Sequence, residues 1–314
     1  METERSVAVV IPCYRVTAHV LDVIARIGPW CDRVYCVDDA CPDRSGDHIE
    51  AHCTDPRVRV LRREANGGVG AATMTGYQAG IDEGMDVLVK IDGDGQMDPA
   101  FAPRLVAPIL LGEADYTKGN RFFSPATVAA MPPLRLVGNA GLSFMTKLST
   151  GYWDLMDPTN GYTALHAAVA RELPFDRIHP RYFFESDVLF RLATLRARVV
   201  ELPLVATYAD ERSNLSELNA LLTFPPLHAR NFVKRIFYGY FLRNFSAASL
   251  SLVIGLGFLA FGVSFGSVSW ATSSSTQTPS TAGTVMLAGL PVFLGIQLLL
   301  SFLQHDVASV PRDP

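Results

Sequence analysis

Val89-Lys90-Ile91-Asp92-Gly93-Asp94-Gly95-Gln96-Met97-Asp98-Pro99 is the stretch where an apolar run stops abruptly at two carboxylates separated by one glycine. Val87 to Ile91 reads as a buried strand. Side chains alternate along extended backbone, so Asp92, Asp94 and Gln96 are expected to point the same way, into the crevice beyond the strand's carboxyl end. Two close carboxylates repel unless a cation sits between them. Oxygen ligands of this kind suit Mg²⁺ or Mn²⁺, and a site with few protein ligands leaves its other positions to substrate phosphates and water. A calcium-binding loop starting at Asp92 would need glycine and glutamate where the chain has Met97 and Pro103. A polar turn ending a strand is the plainer alternative, so the weight of this motif depends on its company.

Outward from this point, residues 7 to about 120 alternate strand and helix, the pattern of a parallel sheet with helices on its faces. Strands are expected at Val7–Ile11, Arg33–Val37, Val58–Leu61, Val87–Ile91 and Asp115–Lys118, and helices near Val16–Ile27, Gly46–Cys53, Val69–Asp82 and Pro99–Leu110. In such sheets ligands bind beyond the carboxyl ends of the strands, which directs attention to the residues after each one. After the second strand come Asp38 and Asp39, carboxylates suited either to a nucleobase N–H or to capping a turn. After the third comes Asn66-Gly67-Gly68-Val69-Gly70-Ala71-Ala72, where glycines allow close backbone approach and a helix N-terminus favours an anion. The P-loop's Gly-Lys-Ser/Thr is missing and Thr73 replaces the third dinucleotide glycine, which excludes a typical NTPase or dehydrogenase.

The 314 residues allow one medium-sized catalytic domain plus an accessory part. A net charge of -4 gives no support for nucleic acid as a partner. The five cysteines, Cys13, Cys31, Cys36, Cys41 and Cys53, are odd in number and lack a C-x-x-C pair, so reduced apolar fillers are expected rather than a disulfide framework or zinc site. Val7 to Ile11 is too short for the apolar core of an export signal and runs into Pro12 as a first strand would.

Charged residues are only 18% of the chain, and the shortfall lies in the last seventy or so residues. Residues 228–245, HARNFVKRIFYGYFLRNF, combine cations (Arg230, Lys234, Arg235, Arg243) with aromatics, as expected of a helix lying in the headgroup region. Ser246 to Trp270 carries no charge and is long enough to span a hydrocarbon core of about 30 Å. A polar linker, Ala271 to Gly283, precedes a second span at about Thr284–Leu303. Flanking cations and an uncharged loop predict a multi-pass protein of the inner (plasma) membrane, with the catalytic part and the tail (304–314) in the cytoplasm.

These segments together resemble the inverting family 2 glycosyltransferases of the GT-A fold, in the polyprenol-phosphate (dolichol-phosphate mannose synthase-like) branch. The likeness rests on Val10-Ile11-Pro12-Cys13-Tyr14, Val37-Asp38-Asp39, the Asn66–Ala71 glycine turn, the Asp92–Pro99 stretch, Lys118-Gly119-Asn120-Arg121, Asp157-Pro158-Thr159-Asn160-Gly161-Tyr162 and Phe184-Glu185-Ser186-Asp187. It covers nearly all of residues 7–215. The implied fold class is α/β, a GT-A (nucleotide-diphospho-sugar transferase) Rossmann-like sheet over 1–215, with juxtamembrane amphipathic helices over 216–245 and two transmembrane helices over 246–303 around an external loop at 271–283.

The resemblance implies donor contacts from Pro12, Tyr14, Asp38, Asp39, Asn66, Gly70, Asp92 and Arg212, and a divalent metal, Mg²⁺ or Mn²⁺, at Asp92, Asp94 and Gln96. Arg121, Arg135 and Asn139 match the region that receives an acceptor phosphate, where a guanidinium can make two parallel hydrogen bonds. Asp157, Asp94 and Asp187 are the catalytic candidates; Asp157 falls beside the reacting centre, and Glu185 or Asp187 would be the base if the acceptor were a hydroxyl. Asp210-Glu211-Arg212-Ser213-Asn214 departs from the family's glycine-containing basic loop, which weakens the assignment of Arg212. The expected partners are a nucleotide sugar (UDP- or GDP-linked), a polyprenyl phosphate and the membrane; a homo-oligomer is compatible with the sequence. A glycolipid hydroxyl as acceptor, or an inactive sugar-nucleotide-binding subunit, are the alternatives.

Overall fold

The computed structural model describes residues 5–123, 133–204 and 217–311. The chain divides into two compact units, the first reaching Phe232 and the second comprising Val233–Val310. Arg212 and its neighbours at 210–214 lie outside the described residues, and of Arg135 only the backbone is described.

In the first unit, β1 (Val7–Cys13), α1 (Val20–Ala25), β2 (Arg33–Asp38), α2 (Ser45–His52), β3 (Val58–Arg62), α3 (Val69–Asp82) and β4 (Val87–Lys90) follow the expected alternation. Then come α4 (Ala102–Leu110), β5 (Tyr116–Asn120), α5 (Pro133–Thr150), β6 (Thr163–His166), α6 (Ala167–Arg171), α7 (Phe184–Leu195) and β7 (Val199–Pro203). Helix α8 (Glu217–Phe237) leaves the first unit. Among the described residues seven strands form one sheet in the order β3-β2-β1-β4-β6-β5-β7. Strand β6 pairs antiparallel with both β4 and β5, while the other pairings are parallel, so the sheet is mixed rather than purely parallel. Strands β6 (Thr-Ala-Leu-His) and β7 (Val-Val-Glu-Leu-Pro) are as short as β4 and β5 but lie outside the strand–helix alternation that marks residues 7 to about 120.

Alternation along the strands divides the sheet's two faces. Val9, Ile11, Val89 and Ile91 pack with Val23 and Ile24 of α1 and Leu105 and Ile109 of α4. The opposite face takes α3, and it does so at close range because that helix presents glycines. A Cβ at Gly76 would stand 2.2 Å from Val10 Cγ1, and one at Gly80 2.4 Å from Leu88 Cδ2. Cys13, Cys31 and Cys36 fill the apolar core.

In the second unit a π-helical turn (Tyr238–Arg243) leads to α9 (Ala247–Thr276) and α10 (Ala282–Ala308), each long and apolar enough to cross a membrane. The first of these is longer than its apolar run, and the connecting turn is 277–281 rather than 271–283. Hydroxyls of Thr272, Ser275 and Thr276 donate back to carbonyls three or four residues earlier, which lets the polar stretch stay helical. Near the other end Asp306 is buried and accepts from Arg235 Nη1 and Nη2 (2.6 and 3.0 Å) and from Tyr240 Oη (2.6 Å).

The two long helices touch through small residues: a Cβ on Gly262 would lie 2.8 Å from Ala288 O, and one on Gly295 2.8 Å from Gly255 O. Such contacts let backbones approach where apolar burial gives no driving force against lipid. Gly262→Leu is therefore expected to destabilise the detergent-solubilised protein by roughly 1–3 kcal/mol, the usual cost of overpacking. Gly257→Leu, at a position with nothing within 4 Å, should leave the melting temperature nearly unchanged; equal melting of the two variants would remove this account of the hairpin.

Candidate active site

The site is built where β1, β2, β4 and β5 end. Strand β4 stops at Lys90, and the residues after it turn: Gly95 has φ +81°, and Asp94 Oδ1 accepts from Gln96 N at 3.0 Å. Asp92, Asp94 and Gln96 therefore do not share a face of an extended strand, as alternation predicts; a local hydrogen bond from the Asp94 side chain wins instead. Tyr162 Oη donates to Asp98 O (2.8 Å), and Asp98 caps the turn at Pro99, so the segment is held at its far end.

Lys90 is 1% exposed, and its ammonium donates to Asp92 Oδ1 at 2.7 Å and to Gly161 O at 3.2 Å, with the Phe184 ring 5.5 Å away. Burial works against this charge, yet Asp92 and Glu185 outweigh it and hold the Lys90 pKa above its ordinary value. Glu185 is pushed up to about 7 by burial and by the nearby Asp92 charge, against the pull of Lys90. These groups converge on Gly161, where a Cβ would stand 2.5 Å from Lys90 Nζ, 3.1 Å from Glu185 Oε1 and 3.5 Å from Asp92 Oδ2. A lysine in an otherwise apolar strand was the signal for this cluster, because a buried ammonium demands buried anions.

The turn offers oxygen donors, with Asp92 and Asp94 partly exposed and Gln96 exposed, and the His19 ring near Gly95. Among the described residues no three His, Cys, Asp or Glu side chains converge on one point. That donor set fits Mg²⁺ or Mn²⁺ shared with a substrate's phosphates and does not fit a zinc cage.

A second cluster joins the end of β5 to the 156–157 segment. Asp157 is fully buried, and its carboxylate accepts from Arg121 N (3.1 Å), Nε (2.7 Å) and Nη2 (2.9 Å). Burial alone would raise its pKa, but the Arg121 guanidinium holds it below the usual carboxylate range. It is thus a fixed anion that orients Arg121 and a poor proton acceptor. Lys118 Nζ donates to Asp157 O, and Glu201 accepts from Met156 N and Asp157 N. Burial lowers the pKa of Lys118 and raises that of Glu201. No local spacing marks Glu201, because its partners lie more than forty residues away in the chain.

Three expectations change. Gly67 N and Gly68 N donate to Asp39 Oδ1 and Oδ2 (3.0 and 2.6 Å), and Ala71 N donates to Pro180 O (2.9 Å). The N–H groups of the two glycines ahead of the helix are thus taken by the protein's own Asp39 and that of Ala71 by Pro180, which corrects the expectation that these donors are open to a ligand. Gly70 serves close packing, since a Cβ there would meet Phe184 Cβ at 2.6 Å. Asn66 is exposed beside it. Asp38, the last residue of β2, accepts from Cys41 N (2.7 Å) and Gly46 N (2.6 Å) and so folds its own loop, while Asp39 reaches across to the turn after β3. Asp187 does not join Glu185: it is buried, accepting from His179 N (2.9 Å), Arg191 Nη2 (3.3 Å) and Asn231 Nδ2 (3.0 Å). A carboxylate so occupied is placed to hold α7, the 179 loop and α8 together. Pro12 and Tyr14 stand at the end of β1, with Tyr14 exposed, and Asn139 lies part-exposed on α5.

The convergence on Gly161 gives a direct test. Gly161→Ala should drive the Lys90 ammonium off Asp92 and weaken Mn²⁺-dependent nucleotide binding, read by calorimetry, by about tenfold, or 1.4 kcal/mol. Lys90→Met should do the same, and the double variant should be little worse than either single, because both remove one interaction. Additive losses would separate the glycine from the lysine.

The glycosyl transferase family 2 model matches residues 8–173. An undecaprenyl-phosphate mannosyltransferase of Micrococcus luteus is 34% identical over 188 residues, covering 59% of this chain and 75% of the relative. A polyprenol monophosphomannose synthase of Mycolicibacterium smegmatis is 30% identical over 222 residues, covering 69% and 82%. Among solved structures, glucosyl-3-phosphoglycerate synthase of Mycobacterium tuberculosis, in complex with Mn²⁺, UDP-glucose and phosphoglyceric acid, superposes with a TM-score of 0.55 at 21% identity over 74% of this chain and 79% of that one, a likeness of fold. The sheet ending in buried charge clusters, the matched family model and these relatives lead to one conclusion: the chain is a glycosyltransferase, a member of glycosyl transferase family 2 in its polyprenol-phosphate branch.

Proposed function

We propose that this glycosyltransferase moves a hexose-type sugar from a UDP- or GDP-linked donor to a polyprenyl phosphate with inversion. The observation that carries the reading is an inside-out helix beside Arg121. Helix α5 buries Ser143, Thr146, Ser149 and Thr150, and exposes Val137, Ala140, Gly141 and Phe144. Ser143 Oγ donates to Met156 O (3.2 Å), which fastens this helix to the segment that carries Asp157. Exposed Phe123 and Met156 continue the apolar surface next to Arg121 and Asp157. A guanidinium bordered by exposed hydrocarbon suits an acceptor with a phosphate head and an apolar tail.

In this reading the acceptor phosphate oxygen attacks the anomeric carbon, the bond to the diphosphate breaks, and the nucleoside diphosphate leaves with the electron pair. A phosphate monoester or its lipid analogue, with a second pKa near 6, arrives largely deprotonated and needs no base. Arg121, oriented by Asp157, holds it in line; Asn139 and Arg135 belong to the same helix-side region. The donor lies across the ends of β1 and β4, with Pro12 and Tyr14 toward the nucleoside and Asp92 and Asp94 toward the diphosphate. Mg²⁺ or Mn²⁺ bound there with Gln96 would neutralise the leaving diphosphate. Lys90 keeps Asp92 in place, and Glu185 is the carboxylate at the donor end that a hydroxyl acceptor would require as base.

Arg121→Lys keeps a cation opposite buried Asp157 while losing the two-pronged fork, so it avoids the roughly 3–5 kcal/mol cost of stranding a buried charge. With a panel of nucleotide sugars and polyprenyl phosphate, this variant should raise the acceptor KM by about tenfold or more and spare donor affinity. Glu185→Gln should cost less than the 10²–10⁴-fold, in rough terms, of a lost general base. A normal Arg121→Lys enzyme with a dead, donor-binding Glu185→Gln would transfer the assignment to a hydroxyl acceptor.

We further propose a two-span protein of the inner (plasma) membrane with residues 1–245 and the tail cytoplasmic. Exposed Lys234 and Arg243 among exposed Phe237, Tyr238 and Phe245 support a headgroup-level segment before the uncharged span. A cysteine at Thr278, in the turn between α9 and α10, should react with an impermeant thiol reagent on intact cells. Labelling only after lysis would reverse this topology.

A further inference from the structure

Strands β5 and β7 run parallel with Lys118 opposite Glu201, and β6 places Thr163 opposite Lys118. Residues opposite one another across strands share a face, so Lys118 and Glu201 reach in the same direction, toward the 156–157 segment. There they grip the backbone of one residue on both sides: Lys118 Nζ donates to Asp157 O, while Glu201 Oε1 accepts from Asp157 N at 2.9 Å. Glu201 Oε2 does two more things. It accepts from Met156 N at 2.8 Å and from Asn120 Nδ2 at 2.8 Å, and Asn120 Oδ1 in turn accepts from Phe122 N at 2.8 Å. One carboxylate therefore holds both segments that meet as the Arg121–Asp157 pair: residues 120–122 on one side and 156–157 on the other.

We infer that Glu201 is a positioning residue for the acceptor phosphate, acting through the backbone of Asp157 and the side chain of Asn120 to set where the Arg121 guanidinium points. This rests on the acceptor reading above. The charge state matters as much as the shape. A carboxylate presents acceptors only, and here it faces three N–H donors, so the isosteric amide would turn an N–H against at least one of them. A guanidinium fork displaced by about an ångström no longer meets a phosphate in line with the anomeric carbon, a loss that geometry alone can make large.

The test uses the full chain in detergent or nanodiscs with a short-chain isoprenyl phosphate as acceptor. Glu201→Gln should raise the acceptor KM by about tenfold or more, leave Mn²⁺-dependent nucleotide affinity unchanged by calorimetry, and lower the melting temperature by no more than a few degrees, roughly what one mispaired buried donor costs. Glu201→Asp, which keeps the acceptor oxygens on a shorter arm, should recover part of the loss. Hydrogen exchange read by mass spectrometry should quicken in peptides covering 118–123 and 154–160 and nowhere in α3 or β4. A loss shared equally by donor and acceptor, with a fall in melting temperature well beyond a few degrees, would make Glu201 merely structural and overturn the inference. So would an unchanged KM. If wild type transfers to no isoprenyl phosphate, it is the acceptor reading that fails; the exchange data then decide alone, with local quickening supporting the bracket and uniform exchange overturning it.

Discussion

Charge taken out of water must be met by opposite charge or by hydrogen bonds, and this constraint shapes the sheet where its central strands end. Lys90 of β4 and Lys118 of β5 both stand opposite Thr163 of the intervening β6, and Glu201 of β7 completes the row. Each ammonium is buried to within about one percent of its surface. Neither can be moved without stranding a partner: Lys90 holds Asp92 and the Gly161 carbonyl, and Lys118 holds the Asp157 carbonyl. The two halves of the site, one facing the expected diphosphate and one facing the expected phosphate, are in this way fixed to the same rigid row.

The glycine turn before α3 illustrates the same economy of anions. The donors of Gly67 and Gly68, just ahead of the helix, end on Asp39, a side chain from the neighbouring strand end. Pro180 O takes Ala71 N, and the missing side chain at Gly70 lets Phe184 pack against the helix. Phe184 and Glu185 are the first residues of α7, so the joint that closes α3 also delivers Glu185 to the cluster around Gly161. A motif that resembles a phosphate cradle thus acts here as a joint between two loops. Asp187, two residues further on, is spent on His179, Arg191 and Asn231, which separates two acidic neighbours into different jobs.

Helix α5 runs against the usual rule by turning hydroxyls inward and hydrocarbon outward. Its hydroxyls are partly satisfied by the helix's own carbonyls, as Thr146 and Thr150 show, and by Ser149 meeting His228 at 2.8 Å. Such a face is costly in water and natural beside a lipid tail. In the second unit the outward surfaces of α9 and α10 are apolar for most of their length, while small residues bring the two backbones together.

The sequence by itself determined the alternation of β1 to β5 with their helices, the polar turn after β4 and the two long apolar helices, because each is a local pattern: a buried run, a D-x-D beside glycine, an uncharged stretch. Ordered motifs also determined the family. Local pattern could not supply β6 as an antiparallel insertion or β7, which lie beyond the regular alternation, nor that Asp92 to Gln96 turn rather than extend. Only tertiary structure decided which carboxylates remain at the site, because Asp39 and Asp187 bond to Gly67, Gly68 and Asn231, groups that adjoin them only after folding, whereas Asp38 caps its own turn, one of the two local readings that the sequence left open. The same holds for Glu201, which meets Lys118 through strand register and Asp157 through a loop, contacts spanning 83 and 44 residues of chain that no local spacing records.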